Sequence, residues 1–330
     1  MYNWIDALAD LQHRGEPCVL VTIIEELGST PRNAGSKMVI SASQTFDTIG
    51  GGHLELKATA IARAMLQDGR TRHFARFPLG PSLGQCCGGV AHLLFERADP
   101  APLTRLASRR EADTCRVVSL DRTASALCDA TGRVLTGDRV PAFDTTAGTH
   151  VRDGWLVDAI LAPRSHLILF GAGHVGAAIV RLLGDLPCRV TWVDERDAMF
   201  PDAVPLNVHI EATDTPEAVV ATAPAGTSFL VMTHSHALDG RLCEAILARH
   251  DVGWFGLIGS VTKRRHFEHR LRVRGFDGAR IDAMVCPIGV PGVQGKQPAV
   301  LAIAVVAQLL QVWEAQLRAP ATLPVSSESS

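Results

Sequence analysis

The first seventeen residues of this 330-residue chain lack the unbroken apolar stretch of an export signal, because Asp6, Asp10, Arg14 and Glu16 interrupt them. A short helix is expected there instead. Long apolar runs are missing elsewhere as well. The richest, residues 299–310, gives way to Gln311 and Glu314 and falls short of the ~20 residues that a bilayer crossing needs, so it reads as a buried helix. Charge of one sign is also missing: the formal net charge is -2 with 20% charged residues, which sets up no field for nucleic acid or an anionic membrane. Eight cysteines are present, yet without regular spacing or an export signal they describe no disulfide framework. Reduced thiols in a cytoplasmic protein follow, with no membrane and no nucleic acid among its partners.

What the chain does have is enough apolar material, 47% of residues, for about two cores at this length. Residues 2–14 read as a helix, 18–24 and 37–40 as strands, 53–68 as a helix with Leu54, Ala58, Ile61 and Met65 along one face, and 71–77 and 90–96 as strands. Short strands separated by turns fill 116–160. From Ser165 the rhythm changes to strand and helix in alternation: strands at 167–170, 189–193, 228–232 and 254–258, helices at 174–184, 215–223, 239–249, 262–275 and 298–318. Such alternation implies a parallel sheet with crossover helices. The expected fold class is α/β, with a doubly wound, Rossmann-like C-terminal domain over 163–318. A mixed α+β domain over 1–162 precedes it and a disordered tail over 319–330 follows.

Four segments carry chemistry. Gly171-Ala172-Gly173-His174-Val175-Gly176 stands between a strand and a helix, with Asp194 closing the next strand. That is the context of a dinucleotide fingerprint, in which glycines let backbone approach a phosphate at a helix N-terminus. The ligand expected there is a nicotinamide dinucleotide or another phosphate ester, and the alternative is a tight strand-to-helix turn that holds none. Cys86 and Cys87 are adjacent and enclosed by Gly84, Gly88 and Gly89, a flexible setting from which thiolates reach a metal or a sulfur donor. Thr233, His234, Ser235, His236 and Asp239 follow a strand at the carboxyl end of the sheet. They make a polar pocket wall or a metal site, with Asp239 a natural cap for the next helix. Ser260 and Lys263 open a helix that also carries Arg264, Arg265, Arg270, Arg272 and Arg274; a solvated helix face is the default for such a run, and an anion seat at its start the alternative.

Taken in order, Gly28-Ser29-Thr30-Pro31-Arg32, Gly35-Ser36-Lys37-Met38, Gly50-Gly51-Gly52-His53-Leu54-Glu55, Gln85-Cys86-Cys87-Gly88-Gly89, the 170–176 turn, Thr233-His234, Gly256-Leu257-Ile258-Gly259-Ser260 with Lys263-Arg264, and Pro287-Ile288-Gly289 resemble the XdhC/CoxI family. The resemblance runs from about residue 3 to residue 312. It implies an accessory chaperone that binds molybdopterin, the molybdenum cofactor, without using it catalytically. Such a chaperone shields the cofactor during sulfuration by a cysteine desulfurase and delivers it to the molybdenum-binding subunit of xanthine dehydrogenase or a related molybdenum hydroxylase. A homodimer is a further expectation. Carried onto this chain, the cofactor-binding residues are the 171–176 turn, Asp194, Thr233, His234, Ser260, Lys263, Ser29, Thr30 and Arg32, with Cys86 or Cys87 on molybdenum. The family often has acidic residues after the proline where this chain reads Lys296-Gln297-Pro298-Ala299, which favours the XdhC branch. Glu55 is expected to complement its own helix terminus rather than touch ligand. Two other readings stand beside this one: an NAD(P)-dependent oxidoreductase with Asp194 on a ribose hydroxyl, and a metal-dependent hydrolase using His234, His236 and Asp239.

Overall fold

The computed structural model describes residues 3–80, 88–98 and 100–318. Cys86 and Cys87, and the tail 319–330, lie outside the described residues. The chain divides into two compact units, Met1–Ala162 and Pro163–Ser330.

In the first unit, helix α1 (Trp4–His13) begins where Asn3 accepts a hydrogen bond from the backbone of Asp6. Strands β1 (Cys18–Leu27), β2 (Lys37–Ser41), β3 (Thr45–Asp47), β4 (Arg72–Pro78) and β5 (Val90–Arg97) form an antiparallel sheet in the order β3-β2-β1-β5-β4. The first five residues of β1 are all buried, because both faces of this strand are covered. Val19, Val21 and Ile23 pack under helix α2 (Gly52–Asp68), and Leu20 packs under α1. Helix α3 (Pro100–Ala107) follows. A second antiparallel sheet, ordered β8-β7-β6-β10-β9, is built from β6 (Thr114–Ser119), β7 (Ser125–Asp129), β8 (Val134–Gly137), β9 (His150–Arg152) and β10 (Trp155–Ile160). Ile24 and Leu94 of one sheet meet Val118 and Leu156 of the other. Between the sheets a buried ion pair joins Lys37 Nζ to Asp158 Oδ1 at 2.7 Å. Burial pushes the Lys37 ammonium down against the opposing attraction of Asp158.

The second unit is a five-stranded parallel sheet, β13-β12-β11-β14-β15, from β11 (Ser165–Phe170), β12 (Cys188–Asp194), β13 (Val208–Ala212), β14 (Ser228–Val231) and β15 (Trp254–Leu257). Strands buried on both faces read as continuous apolar runs, as Leu167-Ile168-Leu169-Phe170 does. Leu167 and Leu169 face helices α4 (His174–Leu183) and α9 (Pro298–Arg318). Ile168 and Phe170 face α6 (His236–Ala248), α7 (Val261–Val273) and α8 (Gly278–Ala283), and α5 (Pro216–Thr222) completes that layer. Strand order changes direction at β11, whose neighbours are β12 and β14. This places a topological switch point between β11 and β14.

Helix α9 is 21 residues with mean hydropathy 1.6 over its most apolar window, long and apolar enough by those measures to cross a membrane. Its inner face, Ala302, Val305, Val306, Leu309 and Trp313, is buried in the sheet-facing core, where the Trp313 indole donates to Ser228 Oγ at 3.0 Å. The 299–310 run is therefore half of a two-sided helix, with Ile303 and Leu317 on the exposed side.

Candidate functional site

The glycine turn sits at the switch point. Gly171 has φ +119°, and a Cβ there would lie 2.4 Å from the Met232 carbonyl oxygen, so only glycine lets β11 leave the sheet this close to β14. Its carbonyl accepts from the Trp192 indole at 3.1 Å. Gly176, in the first turn of α4, approaches the Gly171 oxygen so closely that a Cβ would sit 2.3 Å away. Gly173 behaves differently. It is the N-cap of α4, carries no side-chain cap, and a Cβ built on it would meet nothing within 4 Å. The first-turn N–H groups of α4 lack intrahelical partners by construction, and with the helix dipole they aim a partial positive charge past Gly173. Ala172 is buried, Val175 half-buried and His174 exposed.

Asp194 ends β12 and is buried, but its carboxylate is engaged. Oδ2 accepts from the Ala172 backbone at 2.7 Å and from Arg196 Nη2 at 3.0 Å; Oδ1 accepts from Arg196 Nε at 2.9 Å and its backbone at 3.0 Å. Burial raises the Asp194 carboxyl, and the hydrogen bonds from Arg196 and Ala172 outweigh it, holding the group below the ordinary aspartate range. Next to it, Glu195 faces His234 across the crevice at 3.5 Å. The space enclosed by Gly171, Asp194, Glu195, Thr233 and His234 is about 10 Å³, roughly one water probe. Any ligand body is thus excluded from the crevice floor, while the rim at Gly173 stays open.

Around β14 the structure corrects one expectation. Ser235, not Asp239, caps α6, accepting from the Leu238 backbone. Asp239 is one turn in, where Oδ1 accepts from Thr233 N at 3.1 Å and Thr233 Oγ1 at 2.7 Å, and Oδ2 pairs with Lys263 Nζ at 2.7 Å. Lys263 also donates to the Ile258 carbonyl at 2.8 Å. This network ties the ends of β14 and β15 to α6 and α7. Its carboxylate is turned to Thr233 and Lys263, and among the described residues no group of three metal-binding side chains gathers. Ser260 caps α7 by accepting from Lys263 N. The basic run of α7 is largely paired, Arg264 with Glu268, Arg270 and Arg274 with Glu244, and Arg272 with Asp282. A cavity of about 620 Å³ opens between α6 and α7, lined by His236, Ser260, Lys263, His266, Phe267 and Arg270.

The glycine loops of the first unit gather at one end of its first sheet. Pro31 packs where a Cβ on Gly50 would fall, at 2.5 Å, and the Ser29 carbonyl lies 2.4 Å from a Cβ on Gly89. Leu79 N donates to the Gly89 carbonyl at 2.8 Å, joining the described backbone on either side of residues 81–87. Ser29 and Arg32 are exposed, and Thr30 Oγ1 donates to the Arg32 carbonyl at 3.0 Å. The second glycine-rich helix start is occupied from within. Glu55 Oε1 accepts from Thr48 Oγ1 at 2.5 Å, Ile49 N at 2.9 Å and Gly51 N at 2.8 Å, so α2 seats its own carboxylate where α4 seats none. The other cysteines described, Cys18, Cys115, Cys128, Cys188, Cys243 and Cys286, are buried and free. Burial pushes the Cys18 thiol up to about 11 and that of Cys188 up to about 12, which leaves them inert. Arg196 and Glu195 were missed as site residues; their adjacency to Asp194 in Asp194-Glu195-Arg196 was the available signal.

A parallel sheet with a glycine turn at its switch point defines the second unit as a Rossmann domain, preceded here by an antiparallel α+β unit. Residues 167–309 match the XdhC Rossmann domain and residues 11–78 match the XdhC and CoxI family, and the chain belongs to that family. Among its relatives is the uncharacterized protein YqeB of Escherichia coli (strain K12), 22% identical over 314 residues, which are 94% of this chain and 46% of YqeB. The chain therefore spans about half the length of that relative. A crystal structure of a xanthine dehydrogenase from Bacillus halodurans superposes with a TM-score of 0.75 at 22% identity, covering 98% of each chain. At that identity the likeness is one of fold.

Proposed function

We propose that this chain is an accessory protein of molybdenum hydroxylase maturation that carries molybdenum cofactor by its phosphate end. The observation that carries the reading is the start of α4: a helix N-terminus at the switch point, with glycine at its cap, no side chain filling it and open space in front. A phosphate fits such a seat by charge and by hydrogen bonding. On α2 a related arrangement is seen, with the Glu55 carboxylate accepting from the Ile49 and Gly51 N–H groups just ahead of the helix. The remainder of the cofactor does not fit the crevice floor, at about 10 Å³, so no role in holding it is assigned to Thr233 or His234. When bound, the cofactor supplies the molybdenum centre that a client hydroxylase needs for activity. The chain's own part is to present N–H donors from the first turn of α4, to keep Gly171 and Met232 in close contact, and to hold Ala172 through Asp194.

In this reading the Cys86 and Cys87 thiols serve the soft metal or relay sulfur, a cysteine desulfurase is the sulfur source, and a xanthine dehydrogenase-type hydroxylase is the client. The family supports a maturation role, and the reading puts that role in the cytoplasm. Purifying the protein from cells that make molybdopterin and extracting the bound pterin tests the proposal. A fluorescent pterin at near-stoichiometric yield is expected, and its absence from protein made under molybdopterin synthesis would overturn it. Serine at both Cys86 and Cys87 is expected to leave pterin yield largely intact and lower client activation; unchanged activation removes the thiols from the mechanism.

A further inference from the structure

In dinucleotide-binding Rossmann domains, the acidic residue ending the second strand accepts hydrogen bonds from a ribose diol. Asp194 stands at that position, but both its oxygens are taken, by a two-point fork from Arg196 and by the Ala172 backbone. The fork uses the Nε–Nη2 edge of the guanidinium. A guanidinium has five N–H donors, so the Nη1 edge remains, on a side chain that is 39% exposed. Glu195, the adjacent anion, faces His234 instead.

We propose that the subsite at the end of β12 reads a phosphate through Arg196 and denies a ribose diol by locking Asp194. The inference deepens the reading of the Gly173 seat and rests on it for ligand class: a phosphomonoester without a neighbouring diol that the protein recognises. Arg196 thereby decides specificity. A diol reaching Asp194 would have to break a bidentate charge pair, losing more than two neutral-to-charged hydrogen bonds return. A phosphate reaching Arg196 leaves that pair whole. The shared chemistry, a phosphate dianion, comes either from a pterin side chain or from the 2′-phosphate of NADPH, and the choice of probes separates the two.

The test is equilibrium binding of NADH, NADPH and phenyl phosphate to the full-length protein and to Arg196→Leu and Arg196→Lys. Wild type is expected to bind phenyl phosphate at least tenfold more tightly than NADH. Arg196→Leu should gain NADH affinity tenfold or more as Asp194 is released, and lose phenyl phosphate affinity by a similar factor. Arg196→Lys should retain phosphate binding in part, since a point charge remains without the fork. NADPH bound more tightly than NADH by wild type supports the phosphate reader and names the 2′-phosphate as one source; equal weak binding of both leaves the pterin source. Micromolar NADH binding by wild type, or an Arg196→Leu protein that melts as wild type does and binds NADH unchanged, overturns the proposal. Pterin extraction is independent of these titrations: an empty extract with intact discrimination defeats the carrier role alone.

Discussion

Two glycines two residues apart in the same turn should respond in opposite ways to one added methyl. At Gly171 the backbone has φ +119° and the methyl would stand 2.4 Å from the Met232 oxygen and 2.9 Å from its carbon. Strain of this kind costs about 1–3 kcal/mol, and overpacking against backbone a further 1–3, so Gly171→Ala should lower stability by about 3 kcal/mol or more. For a unit of this size that corresponds to a fall in melting temperature of roughly 6–12 °C. At Gly173, with φ -77° and ψ -177° and nothing within 4 Å of the new carbon, Gly173→Ala should cost under about 1 kcal/mol. In dinucleotide turns the glycine at this position lets backbone approach a phosphate, so the methyl should nevertheless weaken anion binding there. Thermal unfolding followed by circular dichroism, with pterin extracted from the same preparations, separates the effects. Gly173→Ala should melt within a few degrees of wild type and carry little pterin. Full pterin retention in a well-folded Gly173→Ala protein would refute the phosphate seat.

The other expected outcomes concern the scaffold. Replacing Glu55 by alanine removes the acceptor of three hydrogen bonds at the start of α2 and should destabilise the first unit by about 2 kcal/mol in urea titrations. Added phosphate should recover part of this in the variant and not in wild type. Lys37→Met leaves Asp158 buried with Arg116 Nε as its nearest remaining cation at 3.7 Å, so a loss of about 3 kcal/mol is expected. A Lys37→Met, Asp158→Leu double variant should recover most of it, and additive losses would argue against direct coupling. Because the folded-state carboxyl of Asp194 lies below its usual ~3.9, its contribution is complete above about pH 4 and disappears as pH falls through the folded value. Melting temperature measured from pH 7 to pH 3 should drop less steeply for Asp194→Asn than for wild type.

Much of the second unit was legible because its central strands are buried on both faces and read as continuous apolar runs. The glycine turn, β11, β12, β14 and β15 stand where the apolar runs placed them, and α9 spans the same residues as expected. Strand β13 was missed: it is an edge strand with only Val208 buried, so apolar pattern had little to mark it. Helices α3 and α8, of eight and six residues, are too short for periodicity to register. Cap assignment at α6 failed for a different reason. Ser235 and Asp239 are both capping residue types, and what decides between them is Lys263, which draws the Asp239 carboxylate away from the start of α6 toward α7. Such a pairing between residues distant in sequence leaves no local trace. The same holds for the meeting of Gly50 with Pro31 and of Gly89 with Ser29. The glycines announce close approach, and only the folded sheet says to what.

The most direct measurement is a crystal structure of the protein carrying molybdenum cofactor. The account predicts the phosphate at the start of α4, with its oxygens within hydrogen-bond distance of the backbone nitrogens of His174, Val175 or Gly176. A phosphate bound elsewhere, with the Gly173 rim empty, would contradict it.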